Sequence, residues 1–317
     1  MNKNFQDKKI AVIGLGGVGG YLGGMLAKAY PHVTFGARGR RMDSLRENGL
    51  HLHSDLHGEI SVRPEHVLPA CEIGPQDYIF ICVKNYSLEE ACRELSSAVT
   101  DRTVVIPVMN GTDPGDRTRA ALQKGIVMDS LIYIIAFANP DFSISQQGEI
   151  ARLVIGIQNA SDLEWQRVEE VSSLLSGAGI DHGTAHDIQT EIWRKYILNC
   201  AYNVATAAYG NTIGQIRSDP EKTKNYEALV YEAWQVARAK KIGVTREHID
   251  LILHQFHHIY GDDATSSLQR DIRDGHRTEL ETFSGCLVRE AGKLGVPVPV
   301  SEKMYEKLRA QCSPEMN

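Results

Sequence analysis

The chain has 317 residues, 42% of them apolar and 23% charged, with 34 basic and 40 acidic side chains for a net charge of −6. That length predicts about two domains, and that apolar content predicts a core without disulfides or metals. A disordered chain is excluded. The acidic balance gives no footprint for nucleic acid, and no apolar run approaches the ~18–20 residues of a membrane-spanning helix. Neither nucleic acid nor membrane is an expected partner.

The N-terminal stretch has a secretory look. Lys3, Lys8 and Lys9 precede an apolar run ending in Ala27-Lys28-Ala29. Seven glycines between Gly14 and Gly24 are too many for a stable apolar helix, so a signal peptide is rejected. The first half then alternates strand-like and helical runs. Strands are predicted at 10–13, 33–36, 78–83, 104–109 and 126–129, with helical patterns at 18–30, 88–98 and 116–121. Such alternation implies parallel βαβ units. Runs 131–138 and 151–157 read as an antiparallel extension of the same sheet. From 187 onward the periodicity is helical, over 188–209, 220–241, 246–259, 267–294 and 301–311. The expected domains are residues 1–186 and 187–317, α/β followed by all-α. The six scattered cysteines, without a C-x-x-C pair, read as reduced thiols in a cytoplasmic protein.

Gly14-Leu15-Gly16-Gly17-Val18-Gly19 is G-x-G-x-x-G, placed after a strand and at the start of a helix. In that context it is a Rossmann-type dinucleotide loop. The first glycine permits the turn, the second lets backbone approach a pyrophosphate, and the third lets helix and strand pack closely. The next strand ends in Arg38, with Arg40 and Arg41 behind it, where an NAD site would carry Asp or Glu. Guanidinium groups there favour a 2′-phosphate, hence NADP(H); a solvated basic loop is the bland alternative. Lys84 and Asn110 follow the strands at 78–83 and 104–109, so topology sends them toward the same cleft.

In the helix at 187–209, Ile192, Trp193, Tyr196, Ile197, Cys200, Ala201 and Val204 fill one half. Lys195, Asn199 and Asn203 form a polar stripe along its edge, either functional or solvated. In the run 267–294, Leu268, Ile272, His276, Leu280, Phe283, Leu287, Ala291 and Leu294 are expected on one face, with Glu279 inside it. A carboxylate there needs a partner, an interhelical cation or a substrate. Ser266 with Gln269 fits a capping box. That puts Ser267 at a helix N-terminus, a seat for a carboxylate or simply part of the cap. His254 and His258 have zinc-helix spacing but lack the intervening glutamate and a third ligand, so no metal is expected.

These residues resemble the ketopantoate reductase (2-dehydropantoate 2-reductase) family nearly end to end. The match runs through 13–19, Arg38, Val83-Lys84, Asn110-Gly111, Trp193-Arg194-Lys195 to Asn203, and Ser266-Ser267 to Thr278-Glu279. The resemblance implies a Rossmann-type NADP-binding domain and a C-terminal domain of the 6-phosphogluconate dehydrogenase C-terminal type. It implies NADPH-dependent reduction of a small 2-keto acid, ketopantoate to pantoate in pantothenate biosynthesis. Lys195 matches the general acid. Asn199, Asn203 and Glu279 match substrate contacts, and Ser267 matches the residue holding the carboxylate. Arg38 and Lys84 match 2′-phosphate ligands, and Asn110 the asparagine near the nicotinamide. One position departs: Ile213-Gly214 stands where family members often carry Asn-Gly, with Asn211 two residues earlier. The departure bears on which keto acid fits. The other readings are a reductase of the same family with another 2-keto acid, and a non-catalytic NADP-binding sensor. The helices of the second half could serve as a homodimer face.

Overall fold

Strand β1 (Ile10–Ile13) is four apolar residues in a row, all buried, the mark of a strand covered on both faces. In the computed structural model, which describes residues 5–312, it leads into helix α1 (Gly17–Ala29) and pairs in parallel with β2 (Val33–Gly36). Helix α2 (Gly39–Asn48) follows, then β3 (Leu50–Ser54), β4 (Gly58–Val62) and β5 (His66–Leu68). None of these four elements was predicted. In β3 the buried Leu50, Leu52 and Ser54 alternate with exposed His51 and His53, a period of two masked by polar composition. The alternation resumes with β6 (Tyr78–Ile81), α3 (Leu88–Glu94), β7 (Val104–Pro107), α4 (Pro114–Leu122) and β8 (Ile126–Val127).

Six parallel strands stand in the order β5-β2-β1-β6-β7-β8. The order reverses between β1 and β6, and the carboxyl ends at such a switch point are where nucleotides bind. Strands β9 (Asp129–Ala138) and β10 (Ile144–Gly156) are antiparallel. They do not extend the first sheet, which corrects the expectation. With β3, β4 and β11 (His182–Thr184) they make a second sheet, ordered β11-β10-β3-β4 with β9 on the other edge of β10. The cause lies in α1. A Cβ on Gly17 would stand 2.2 Å from the Ala136 carbonyl oxygen, and one on Gly20 would stand 2.4 Å from the Ile144 side chain. One bare face of the helix therefore receives the second sheet directly. Helix α5 (Asp162–Gly177), started by a reciprocal Ser161–Glu164 capping box, packs on β10 and β11.

The chain divides into two compact units after Ile188. The second is helical: α6 (Ile188–Tyr209), α7 (Ile213–Arg217), α8 (Pro220–Ala239), α9 (Arg246–His254), α10 (Ser267–Arg273), α11 (Cys286–Leu294) and α12 (Pro299–Gln311). Its core includes Trp193 edge-on to Tyr196 and Tyr226 stacked on Phe256 at 3.8 Å. The single helix expected over 267–294 is broken. Gly275, at φ +70°, ends α10, and helix resumes at Leu280 through one wide turn, Glu281–Gly285. The expected face breaks with it: Leu268, Leu280, Phe283, Leu287 and Ala291 are buried, but His276 and Leu294 are exposed. Among the described residues no helix is long and apolar enough to cross a membrane.

Candidate active site

The first unit gathers its candidate residues at one edge of the parallel sheet. The loop Gly14–Gly19 leaves β1 and opens α1, Arg38 follows β2, Lys84 follows β6 and Asn110 follows β7. Backbone bonds tie these ends together: Gly14 N–H donates to Gly36 O at 3.0 Å, Cys82 N–H to Ile13 O at 2.7 Å, and Val108 N–H to Ile81 O at 2.8 Å. Gly14 has φ +85°, and a Cβ on Gly19 would fall 1.9 Å from the Gly14 carbonyl oxygen. Both glycines are thus fixed by the turn itself. Leu15 is buried and Val18 packs against the core. Gly16 differs: a Cβ there would meet no atom of the chain within 4 Å. Open space above the second glycine, beside the uncapped N-terminus of α1, fits a bound pyrophosphate.

Arg38 is the N-cap residue of α2, and its side chain is 72% exposed. It pairs with Glu90 at 3.5 Å, a solvated contact that an arriving phosphate can displace. Arg41 is not part of a solvated basic loop. Its Nε donates to the Leu15 carbonyl at 3.0 Å, and burial pushes its guanidinium down to about 10. Lys84 is exposed. Sequence reasoning passed over its neighbour Asn85, which is buried and donates through Nδ2 to the Asn110 carbonyl at 2.8 Å. Arg117 clamps Asn85 in turn, donating to its side-chain oxygen at 3.2 Å and its carbonyl at 2.8 Å. Asn85 thus fastens the Lys84 and Asn110 loops together, a link between distant segments with no local sequence signature.

The second unit brings its candidates together around α6. All seven apolar residues expected on that helix are buried. Along the edge of the arc, Asn203 Nδ2 donates to Asn199 Oδ1 at 3.3 Å. Asn203 Oδ1 accepts from Ser267 Oγ at 3.2 Å, and it is buried. Ser266 Oγ caps α10 by accepting from Gln269 N–H at 3.1 Å, and also accepts from Thr206 at 2.7 Å. The capping box is only half made, because the Gln269 amide reaches instead to the Asn211 carbonyl at 3.3 Å. Thr206, three residues beyond Asn203, continues the stripe; its spacing was the signal available.

Glu279 reaches the same stripe by another route than expected. It lies just before the resumed helix, with its carbonyl accepting from Thr282 at 3.0 Å and Phe283 at 3.2 Å. Its residue is only 6% exposed. Tyr196 and Cys200 fasten the segment that follows, bonding the Thr282 carbonyl at 2.9 Å and the Phe283 carbonyl at 3.1 Å. Burial pushes the Lys195 ammonium down to about 8, and the nearby Glu279 carboxylate opposes that shift. At neutral pH the lysine is therefore charged yet ready to release a proton. Ile213 is fully buried at the start of α7, and the Asn211 amide is held by Gln215 at 3.0 Å. His257, between the zinc-spaced His254 and His258 and not one of that pair, bonds Glu227 at 2.9 Å.

The first unit thus presents a glycine-rich loop at a sheet edge, and the second sets the partly buried Lys195 near the buried Glu279. The family description Ketopantoate reductase PanE/ApbA matches residues 10–160, and its C-terminal counterpart matches 187–311. An uncharacterized oxidoreductase of Bacillus subtilis, YkpB, is 28% identical over 95% of this chain and 98% of its own length. The 2-dehydropantoate 2-reductase of Halobacterium salinarum is 24% identical over 95% of this chain and 98% of its own. The crystal structure of 2-dehydropantoate 2-reductase from Porphyromonas gingivalis superposes with a TM-score of 0.80 at 28% identity, covering 96% of this chain and 100% of that one. The chain belongs to the ketopantoate reductase PanE/ApbA family, and it is a pyridine-nucleotide-dependent oxidoreductase.

Proposed function

We propose that the protein reduces ketopantoate to pantoate with NADPH as the hydride donor. The observation that carries this reading is the depressed Lys195 beside the buried Glu279, in the same unit as the Asn199–Asn203–Ser267 chain of hydrogen bonds. Full-length relatives named 2-dehydropantoate 2-reductase support it.

When bound, NADPH supplies hydride to the carbonyl carbon of the keto acid. The loop Gly14–Gly19 would hold the pyrophosphate, Arg38 and Lys84 the 2′-phosphate, and Asn110 the nicotinamide end. As the carbonyl π electrons move to oxygen, the Lys195 ammonium stabilises the developing alkoxide and then protonates it. The neutral amine regains a proton from water. Glu279 balances the lysine charge and accepts a hydrogen bond from the product hydroxyl. Asn199 and Asn203 contact the substrate, and Ser267, at the N-terminus of α10, takes its carboxylate.

Substituting Lys195→Ala tests the assignment. Turnover should fall by about 10²–10⁴-fold, the usual worth of a positioned acid, while NADPH affinity stays unchanged. Turnover retained at the wild-type rate would contradict it.

A further inference from the structure

The three arginines after β2 differ in what their guanidinium groups can do. Arg38 and Arg40 are exposed. Arg41 is turned inward: Nε donates to the Leu15 carbonyl at 3.0 Å, Nη1 donates to the Phe142 carbonyl, and Nη2 is sealed from solvent. Its guanidinium carbon lies 5.8 Å from the centroid of the Phe142 ring, within cation–π range. Phe142 has φ +68°, a conformation bulky residues rarely adopt. The turn around it is closely knit, with Asn139 N–H donating to Ser143 O at 2.8 Å and Phe142 N–H to Asn139 O at 2.9 Å. That turn joins β9 to β10, so Arg41 links the hairpin to the glycine loop.

Leu15 is the residue between the first two glycines. A trans peptide is planar, so its C=O and the following N–H point in opposite directions, and no peptide bond here is cis. Fixing the Leu15 carbonyl toward Arg41 therefore fixes the Gly16 N–H away from it. Gly16 is exposed and has open space where a Cβ would stand. We propose that Arg41 is a positioning residue of the dinucleotide loop: it sets the Leu15–Gly16 peptide so that the Gly16 N–H meets the cofactor pyrophosphate, and it does not read the 2′-phosphate. The proposal rests on the glycine loop being the nucleotide site.

The test compares Arg41→Met, Arg41→Lys and Arg38→Met with wild type, measuring Kd for NADPH and for NADH, kcat and KM with ketopantoate, and Tm. Both nucleotides carry the pyrophosphate and only NADPH carries the 2′-phosphate. Arg41→Met should weaken both by one common factor, roughly tenfold for lost charge-assisted bonds, with the effect in the KM for nucleotide rather than in kcat. Arg41→Lys, which keeps the charge and can restore one donor, should recover part of the loss. Arg38→Met should weaken NADPH selectively. A loss confined to NADPH in Arg41→Met would overturn the proposal by making Arg41 a 2′-phosphate ligand. A lower Tm with both Kd values unchanged below the melt would overturn it by making the role structural only. If Arg41→Met does not fold, Arg41→Lys decides on the same criterion, equal weakening of both nucleotides against selective or no weakening. Wild-type protein that binds neither nucleotide would instead sink the cofactor reading and this proposal together, a result distinct from either failure of Arg41 alone.

Discussion

Lys195 carries the sharpest expectation. An ammonium held near 8 instead of 10.5 is charged below that pH and neutral above it. If it is the acid, kcat/KM for keto acid reduction should be level at neutral pH and fall about tenfold per pH unit well above 8. In Lys195→Arg any residual activity should lose that fall, because a guanidinium stays charged. The same shift acts on folding with a definite sign. Between about 8 and 10.5 the unfolded chain binds more protons at this residue than the folded one does. The folding cost of burying the charge is therefore present below 8 and is relieved as pH rises through that window. A pH–activity profile of wild type beside Lys195→Arg checks the catalytic half. Two glycines give a second contrast. Gly19→Ala places a methyl 1.9 Å from a carbonyl oxygen and should lower Tm sharply. Gly16→Ala meets nothing within 4 Å and should cost NADPH affinity well beyond any change in Tm. Equal effects on the two variants would contradict the reading of the open space. In the sequence alone, helix spacing singles out Lys195, Asn199 and Asn203 as one polar stripe, and a local motif singles out the loop glycines. The sequence could not reveal Asn85, Arg117 or the inward turn of Arg41, since their partners lie in other segments.

At the scale of elements, the break between α10 and the helix resuming at Leu280 matters most. Periodicity suggested one helix over 267–294, since apolar residues continue at helical spacing across the gap. Asp274-Gly275 was the available stop signal, an αL terminator followed by a turn. The break places Glu279 just before a helix N-terminus, where a carboxylate is favoured, rather than midway along an apolar face. Gly275 has open space where a Cβ would stand but a positive φ. Gly275→Ala should therefore destabilise only through its backbone, by about 1–2 kcal/mol. Denaturant midpoints would check this, and an unchanged midpoint would contradict the strain. The strands missed by sequence reasoning have a different cause. In β3, histidines occupy the exposed positions and disguise a regular alternation. Strand β5 has only three residues, too few to show any period.

The whole chain folds as two units with separate cores. In the first, apolar side chains cover both faces of the parallel sheet, whereas the second builds its own cluster around α6. Unfolding should therefore depart from two-state behaviour, with calorimetric enthalpy exceeding the van't Hoff value. With the glycine loop as the proposed cofactor site, NADPH should raise chiefly the transition of the first unit. A single two-state transition would contradict this. Composition and strand–helix alternation made the α/β and helical halves legible. The second sheet was not, because its placement depends on the bare glycine face of α1. Gly17 lies inside the loop read as a cofactor motif and Gly20 just beyond it, and the second sheet packs closely against both.

The central claim joins a phosphate-reading edge to a lysine acid, and one measurement addresses both: nucleotide oxidation by the purified protein with ketopantoate, run with NADPH and NADH beside a set of other 2-keto acids. The account predicts rapid turnover with ketopantoate, a clear preference for NADPH, and much slower turnover with the other acids. Turnover confined to another acid would contradict the proposed substrate. Equal use of NADH would contradict the role of Arg38. Tight NADPH binding with no turnover of any keto acid would contradict the role of Lys195 and Glu279.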